Sequence, residues 1–311
     1  MRVGIYKDTL ANRRGADAAV LALAAGLNER GTEAVVFEKP SLCSRVAEPW
    51  DVVIATGTNE LLDLAALFPD RFPWPVVMQF HTNPKSQFKW KRFRRNRRIR
   101  AALARVRAIQ VLSPAFVPQV VRYGAKVAVI GNWSAFAAQA AQAGATGKNI
   151  IYPAAWSKVK NQRLLLKAFA RLTKEFPDWT LELYGAGKAP AKLPPQTKAM
   201  GYRELSAAYA QCAFVAFPSL DEGFGLVLAD AAQFGKPAVL VRDWIGTAAT
   251  GGGLLAGASV RAYAQGLRTL MADPELTRAM GERAREFCAA NYSRERILDE
   301  WLALLAEATG K

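Results

Sequence analysis

The chain has 311 residues, 51 % of them hydrophobic and 22 % charged, which is enough apolar material for two domains of ordinary size and too much for a disordered chain. Its three cysteines, Cys43, Cys212 and Cys288, are far apart in sequence, so they suggest neither a disulfide framework nor a spaced metal set and fit a reducing, cytoplasmic setting. No run approaches the ~18 apolar residues of a membrane-spanning helix, and of the formal net charge of +16, +11 falls between Lys85 and Arg107, where there is no Asp or Glu.

In chain order, the opening MRVGIYKD reads as a β-strand and lacks the apolar stretch of a secretory leader. A helical stretch over residues 16–30 follows, then AVVF, VVIAT and PVVMQF, the basic segment, AIQVL and KVAVI. Short buried runs separated by helix-length segments predict a mostly parallel sheet with covering helices. Residues 135–147 are small, polar and glycine-punctuated and read as a linker, although their alanines could also form a short helix.

A second series of the same kind begins at NIIYPA: a helix over about 161–175, TLELYGAG, a strand near Met200, a helix near 204–210, CAFVAFPS, a helix over about 225–234 and PAVLV. From residue 261 the pattern is helical to the end, broken at Asp273-Pro274. The last helix carries Ile297, Leu298, Trp301, Leu302 and Leu305 on one face. The expected organisation is α/β: two Rossmann-like domains, residues 1–145 and 146–290, facing each other across a cleft, with a C-terminal helix over 291–311 packing back on the first.

The strongest local signal is PSLDEGFGLVLADAAQFGKPAVL, from Pro218 to Leu240. A strand ends at Pro218-Ser219, an acidic pair follows, and Gly223, Phe224 and Gly225 lead into a helix. Free amides at a helix start suit an anionic phosphate, and glycines allow close backbone approach. Glu222 falls at the strand's carboxyl end, and Asp230 lies about two turns further along. Two carboxylates so placed can accept hydrogen bonds from the hydroxyls of a sugar and a ribose. The bland alternative is a strand–turn–helix in which Glu222 caps the helix and Asp230 is solvated.

In sequence order, Tyr152-Pro153, Lys160-Asn161 before LLLKAFARL, the LELYGAG strand–loop, Met200-Gly201-Tyr202 and the EGFGLVLAD block ending in Gly235-Lys236-Pro237 resemble the retaining glycosyltransferases of family 4, which have the GT-B fold. The resemblance covers residues 149–241 well and the first half mainly through its strand–helix pattern. It implies a metal-independent, cofactor-free enzyme that takes a nucleotide-diphospho-sugar, with UDP favoured over GDP or ADP, and passes the sugar to a glycan or glycolipid of the cell envelope or lipopolysaccharide core. Residue by residue, it places Glu222 near the transferred sugar beside the amides of Gly223, Phe224 and Gly225, and Asp230, where the family usually has Glu, at the ribose. Lys160 is placed at the diphosphate, and Gly185 and Gly187 in the loop approaching the nucleotide. The family's arginine five positions before that lysine is here Ala155, and Lys158 is the nearby candidate to replace its charge.

In the first half, the resemblance places Gly15 in the loop near the diphosphate and acceptor, and His81 as a contact of the donor sugar. His81 is the chain's single histidine, so it cannot belong to a multi-histidine metal site. The basic segment, with Phe88, Trp90 and Phe93 among its cations, reads as a membrane-surface element that attracts anionic lipid or a phosphorylated glycolipid acceptor, peripheral on the inner face of the cytoplasmic membrane. Nucleic acid would also answer the charge but gives no reason for the second-half motifs. Ala155 and Asp230 leave one further alternative open: a catalytically weak GT-B protein that binds a nucleotide-sugar or an anionic partner.

Overall fold

A computed structural model of the chain describes residues 1–11, 15–88, 90–136 and 147–310. It divides into two compact units, Met1–Asn132 with Arg294–Lys311, and Trp133–Ser293. Most of the linker read over 135–147 lies outside the described residues, as does Lys89 of the basic segment.

The first unit runs β1 (Arg2–Tyr6), α1 (Ala16–Glu29), β2 (Glu33–Phe37), α2 (Leu42–Arg45), β3 (Val52–Ala55), α3 (Thr58–Leu67), β4 (Val76–Gln79), α4 (Phe93–Leu103), β5 (Ala108–Val111), α5 (Val117–Val120) and β6 (Lys126–Val129). Its sheet is parallel throughout, in the order β2-β1-β3-β4-β5-β6. VVIA, VVMQ and AIQV occupy its centre, and every residue in them is buried. Strands covered on both faces favour apolar runs, here broken by the buried Gln79 and Gln110, whereas no residue of the edge strand KVAV is buried. On the core side, Tyr6, Phe37 and Trp50 stack with ring centroids 5.4 and 5.9 Å apart.

The second unit contains β7 (Asn149–Pro153), α6 (Gln162–Phe169), β8 (Thr180–Tyr184), β9 (Thr197–Gly201), α7 (Ser206–Gln211), β10 (Phe214–Phe217), α8 (Leu226–Gln233), β11 (Ala238–Leu240), β12 (Gly253–Leu255), α9 (Val260–Ala272) and α10 (Pro274–Tyr292). Its parallel sheet has the order β12-β11-β10-β7-β8-β9. Tyr152, Leu165, Phe169, Phe214, Leu267 and Leu270 belong to one core. At the break between α9 and α10, the Asp273 side chain accepts from the Leu276 amide, with Pro274 at the first helical position, where its missing N–H costs nothing.

The last helix, α11 (Arg294–Thr309), belongs to the first unit and packs against α1, β3 and β4. Gly26 of α1 makes this contact possible: a Cβ there would meet the Leu298 side chain at 2.6 Å. Trp301 is buried beneath α11.

Three elements differ from the sequence expectation. The helix predicted over 161–175 ends at Phe169, because Arg171 and Leu172 turn to bond the carbonyls of Ala168 and Phe169. Leu172 remains fully buried, which explains why the apolar periodicity outlasts the helix. α3 and β12 are additional elements. The first is signalled by Leu61 and Leu64 three apart, and the second by only three residues, GLL, too short to carry a period.

Each sheet reverses strand order once, between β1 and β3 in the first unit and between β7 and β10 in the second. In open parallel sheets the loops at the carboxyl ends of such strands diverge and leave a crevice, the usual place for a ligand. The two loop pairs are therefore residues following Tyr6 and Ala55, and residues following Pro153 and Phe217.

Candidate active site

In the second unit, the loop after β7 carries Lys160 and the loop after β10 carries Glu222. Lys160 Nζ donates to Glu222 Oε1 at 2.5 Å, with the side chains 27 % and 12 % exposed. Several contacts fix this pairing. The Leu220 amide donates to the Val159 carbonyl at 2.9 Å, Asn161 Nδ2 to the Pro218 carbonyl at 3.3 Å, and the Tyr152 hydroxyl to the Lys160 carbonyl at 3.0 Å. Asn161 itself has φ 55°, a left-handed conformation that Asn tolerates better than other side chains, and it turns the chain into α6. Lys160 also lies 5.9 Å above the Phe217 ring centroid.

Gly223, Phe224 and Gly225 follow Glu222. Gly225 is left-handed, with φ 92°, and caps α8. The Phe224 ring is buried edge-on against Tyr292, with centroids 4.9 Å apart, so this residue offers the site its backbone alone. The amides of all three residues donate to no other described residue. Helix start, amides and lysine together are groups that suit a phosphate.

The loop after β8 closes the same region. Gly185, at φ 134°, passes so close to the preceding loop that a Cβ would lie 2.4 Å from the Ala154 carbonyl oxygen. Gly187, at φ 107°, lies against Trp156, whose amide donates to the Ala186 carbonyl at 2.9 Å. Ala155 is exposed in this loop, and its carbonyl accepts from Gln162 Nε2 at 2.8 Å. Lys158 is exposed nearby, with its ammonium unpaired among the described residues.

Asp230 on α8 is engaged differently from the sequence reading. Ser134 Oγ donates to its Oδ1 at 2.7 Å, and desolvation pushes the carboxyl up to about 7 against the lowering effect of that bond. Nothing in the sequence signals Ser134, which lies 96 residues earlier.

At the first unit's reversal point, Lys7 follows β1. It donates to Glu60 at 2.9 Å and to Asp8 at 3.0 Å, with the Lys7 and Glu60 side chains only 15 % and 4 % exposed. Glu60 also accepts from the Asp8 amide at 3.2 Å. These residues line a cavity of 210 Å³ together with Thr58, Thr82, Gln87 and His81. His81 follows β4; burial, with a contribution from Lys7, lowers its imidazole to about 4, so it is neutral at pH 7. Its buried Nε2 has no partner among the described residues. Gly15, at φ 51°, caps α1 just before Ala16, another residue of the cavity wall. The basic stretch 12–14 beside it lies outside the described residues.

The basic segment places Trp90 and Phe93 at 95 % and 73 % exposure. Lys91, Arg92, Arg94, Arg97, Arg98 and Arg100 are exposed around them, while Ile99, Ala102 and Leu103 bury the opposite face of α4. Among the described residues no helix is long and apolar enough to cross a membrane, and no group of three or more His, Cys, Asp or Glu is placed to hold a metal ion.

The structure thus brings Lys160, Lys158, Gly185, Gly187, Glu222, Gly223, Phe224 and Gly225 into the loops of one sheet end, and His81 and Gly15 into those of the other. Sequence reasoning missed the Lys7–Glu60–Asp8 cluster. Its signal was available: charged residues directly after a buried strand, and an acid four residues after Thr56.

Residues 147–273 match the sequence model of the family described as Glycosyl transferases group 1. An uncharacterized glycosyltransferase of Haemophilus influenzae is 28 % identical over 156 residues, which is 45 % of this chain and 44 % of that protein. The chain spans less than half the length of the curated relatives it matches in sequence. Among solved structures, Anabaena HepE in complex with UDP and glucose superposes with a TM-score of 0.78 at 18 % identity, covering 98 % of this chain and 99 % of that one. Sucrose-phosphate synthase of Thermosynechococcus elongatus does so with a TM-score of 0.78 at 16 % identity, over 98 % of each chain. These likenesses show the fold.

Proposed function

We propose that this chain, a GT-B-fold protein whose residues 147–273 form a group 1 glycosyl transferase domain, moves a sugar from a nucleotide diphosphate to a glycan or glycolipid. The observation that carries the proposal is the Lys160–Glu222 pair at the β7/β10 reversal point, beside three free amides at the start of α8. A cation and helix-start amides suit a diphosphate, while the carboxylate held by that cation repels phosphate and suits a sugar hydroxyl.

In this reading Lys160 and the amides of Gly223 to Gly225 hold the diphosphate and offset the charge that grows on it as the glycosidic bond breaks. Lys158 adds the positive charge that Ala155 lacks. Glu222 accepts from hydroxyls of the sugar, Asp230 from the ribose, and the Gly185–Gly187 loop lets the nucleotide approach the backbone. His81, held neutral, can donate or accept a hydrogen bond without adding charge. Transfer with retention needs no carboxylate nucleophile. The bond from the anomeric carbon to the diphosphate oxygen breaks, a bond to the acceptor oxygen forms on the same face, and the acceptor's proton passes to the departing phosphate oxygen. Catalysis then rests on orientation and charge stabilisation. UDP is the favoured donor nucleotide; HepE, of the same fold, was solved with UDP and glucose.

The exposed rings of Trp90 and Phe93 amid uncompensated cations support an anionic envelope glycolipid as acceptor and a peripheral position on the inner face of the cytoplasmic membrane. Vesicles lacking anionic lipid should bind much more weakly than those containing it. The activity is tested by release of nucleoside diphosphate from UDP-, GDP- and ADP-linked sugars with envelope glycolipid fractions. Release from one donor class that depends on the glycolipid and disappears in Glu222→Gln is expected; no release from any donor contradicts the proposal.

A further inference from the structure

One arginine of α4 faces inward. Arg95 on α4 is half-buried, whereas Arg94, Arg97, Arg98 and Arg100 are exposed. Its guanidinium donates to the Gln87 carbonyl at 3.0 Å, to Thr58 Oγ1 at 3.1 Å and to Asn59 Oδ1 at 2.8 Å. These contacts reach two walls of the cavity that holds His81. Thr58 and Asn59 open α3 on one side, and Gln87 lies on the other, in the loop that begins at His81. Thr58 Oγ1 also donates to Gln87 Oε1 at 3.0 Å, and Gln87 Nε2 donates to Thr82 Oγ1 at 2.7 Å, one residue from His81. A planar fork can serve three acceptors at fixed angles, which an ammonium cannot do.

We infer that Arg95 is a positioning residue that couples engagement of an anionic bilayer surface by α4 to the geometry of the His81 cavity. The inference rests on the proposed reading of α4 as the face that meets anionic lipid. A helix moves as a rod, so whatever seats its exposed face also seats Arg95. The exposed cations repel one another and Arg95, whose charged form is disfavoured first by burial and then by Arg92. Lipid phosphates around Lys91, Arg92, Arg94, Arg97 and Arg98 relieve that repulsion, and the fork then closes harder on Thr58, Asn59 and Gln87. Surface docking thereby rigidifies the loop bearing His81 where the acceptor is presented.

The test is amide hydrogen exchange of the full chain, free and with phosphatidylglycerol-containing vesicles, with vesicle binding measured separately by co-sedimentation. In the wild-type protein, bound vesicles slow exchange at residues 57–60 and 82–87 by about tenfold. Arg95→Ala co-sediments with the same vesicles, yet its 57–60 and 82–87 amides gain no protection; Arg95→Lys recovers part of it. Unchanged exchange in β1 and β3 verifies that each variant is folded, and Asn59→Ala, which removes one acceptor from the other side, weakens the same protection. Vesicle binding with no wild-type protection, or equal protection in Arg95→Ala, overturns the coupling and leaves the surface reading standing. Failure of the wild-type chain to bind these vesicles overturns both.

Discussion

Both sheets place a lysine–glutamate pair at the point where strand order reverses, yet the two pairs have opposite character. In the first unit, Lys7 is held by two carboxylates, Glu60 and Asp8, so the cluster carries net negative charge and sits deep, with Glu60 4 % exposed. In the second, Lys160 has one ionic partner among the described residues, the three amides beside it donate to no described residue, and both side chains are more open to solvent. The first arrangement repels phosphate and organises hydroxyl and amide groups around a neutral histidine. In the proposed reading the second attracts an anion and leaves a carboxylate for whatever the anion carries. The same topological device therefore supports different chemistry according to how many acids surround the lysine.

The sharpest way to break this contrast is to neutralise the two glutamates separately. Glu222→Gln should lower the transfer kcat by about 10²–10³-fold, the size seen when an oriented transition-state contact is lost, while thermal stability changes little. Glu60→Gln should do the reverse, leaving buried Lys7 with Asp8 as its one ionic partner and lowering stability by about 1–3 kcal/mol, read from chemical denaturation. If Glu60→Gln reduced activity without loss of stability, the first cluster would belong to the chemistry.

A smaller effect sharpens the geometry of the second site. Gly185→Ala forces a Cβ to within 2.4 Å of the Ala154 carbonyl at a positive φ, so the loop must move. The expected cost is about 1–3 kcal/mol of stability, accompanied by weaker nucleotide-sugar binding; wild-type affinity would show that this loop is not part of the donor site.

The two units should also respond to pH with opposite sign. His81 is lowered from 6.5 to about 4 in the folded chain, so between those values the unfolded chain binds more protons, and stability rises with pH across that window and is lost as pH falls. Asp230 is raised from 3.8 to about 7, so the folded chain binds more protons between those values and stability falls as pH rises. Unfolding midpoints measured from pH 4 to 7 should lose the first slope in His81→Gln and the second in Asp230→Asn. The smallest effect is expected on α4, where each of Arg94→Gln, Arg97→Gln and Arg98→Gln should weaken anionic-vesicle binding by about 1 kcal/mol.

Much of this was legible in the sequence. Buried four-residue runs identify the central strands because burial on both faces favours apolar side chains, with Gln79 and Gln110 the buried polar exceptions in β4 and β5. In the proposed reading, Lys160, Glu222 and the glycines between strand and helix stand out in the sequence because a phosphate site would need those residue types at that turn. Partners brought together by topology alone were not legible. Ser134 and Asp230 are joined across 96 residues, which local pattern does not encode, and for Lys7 and Glu60 the local signal marks each residue but not their pairing. Arg95 was hidden for another reason: within a run of arginines, only its position on the helix, turned toward α3, separates it from its solvated neighbours.

The most direct test of the central claim is calorimetric titration of the purified chain with UDP-, GDP- and ADP-linked sugars, alongside Lys160→Ala. The account predicts selective binding of one nucleotide-sugar, weakened in the variant by about 2–4 kcal/mol because a phosphate contact to a partly buried cation is lost. Binding of equal strength in Lys160→Ala, or no binding of any nucleotide-sugar by the wild-type chain, would contradict it.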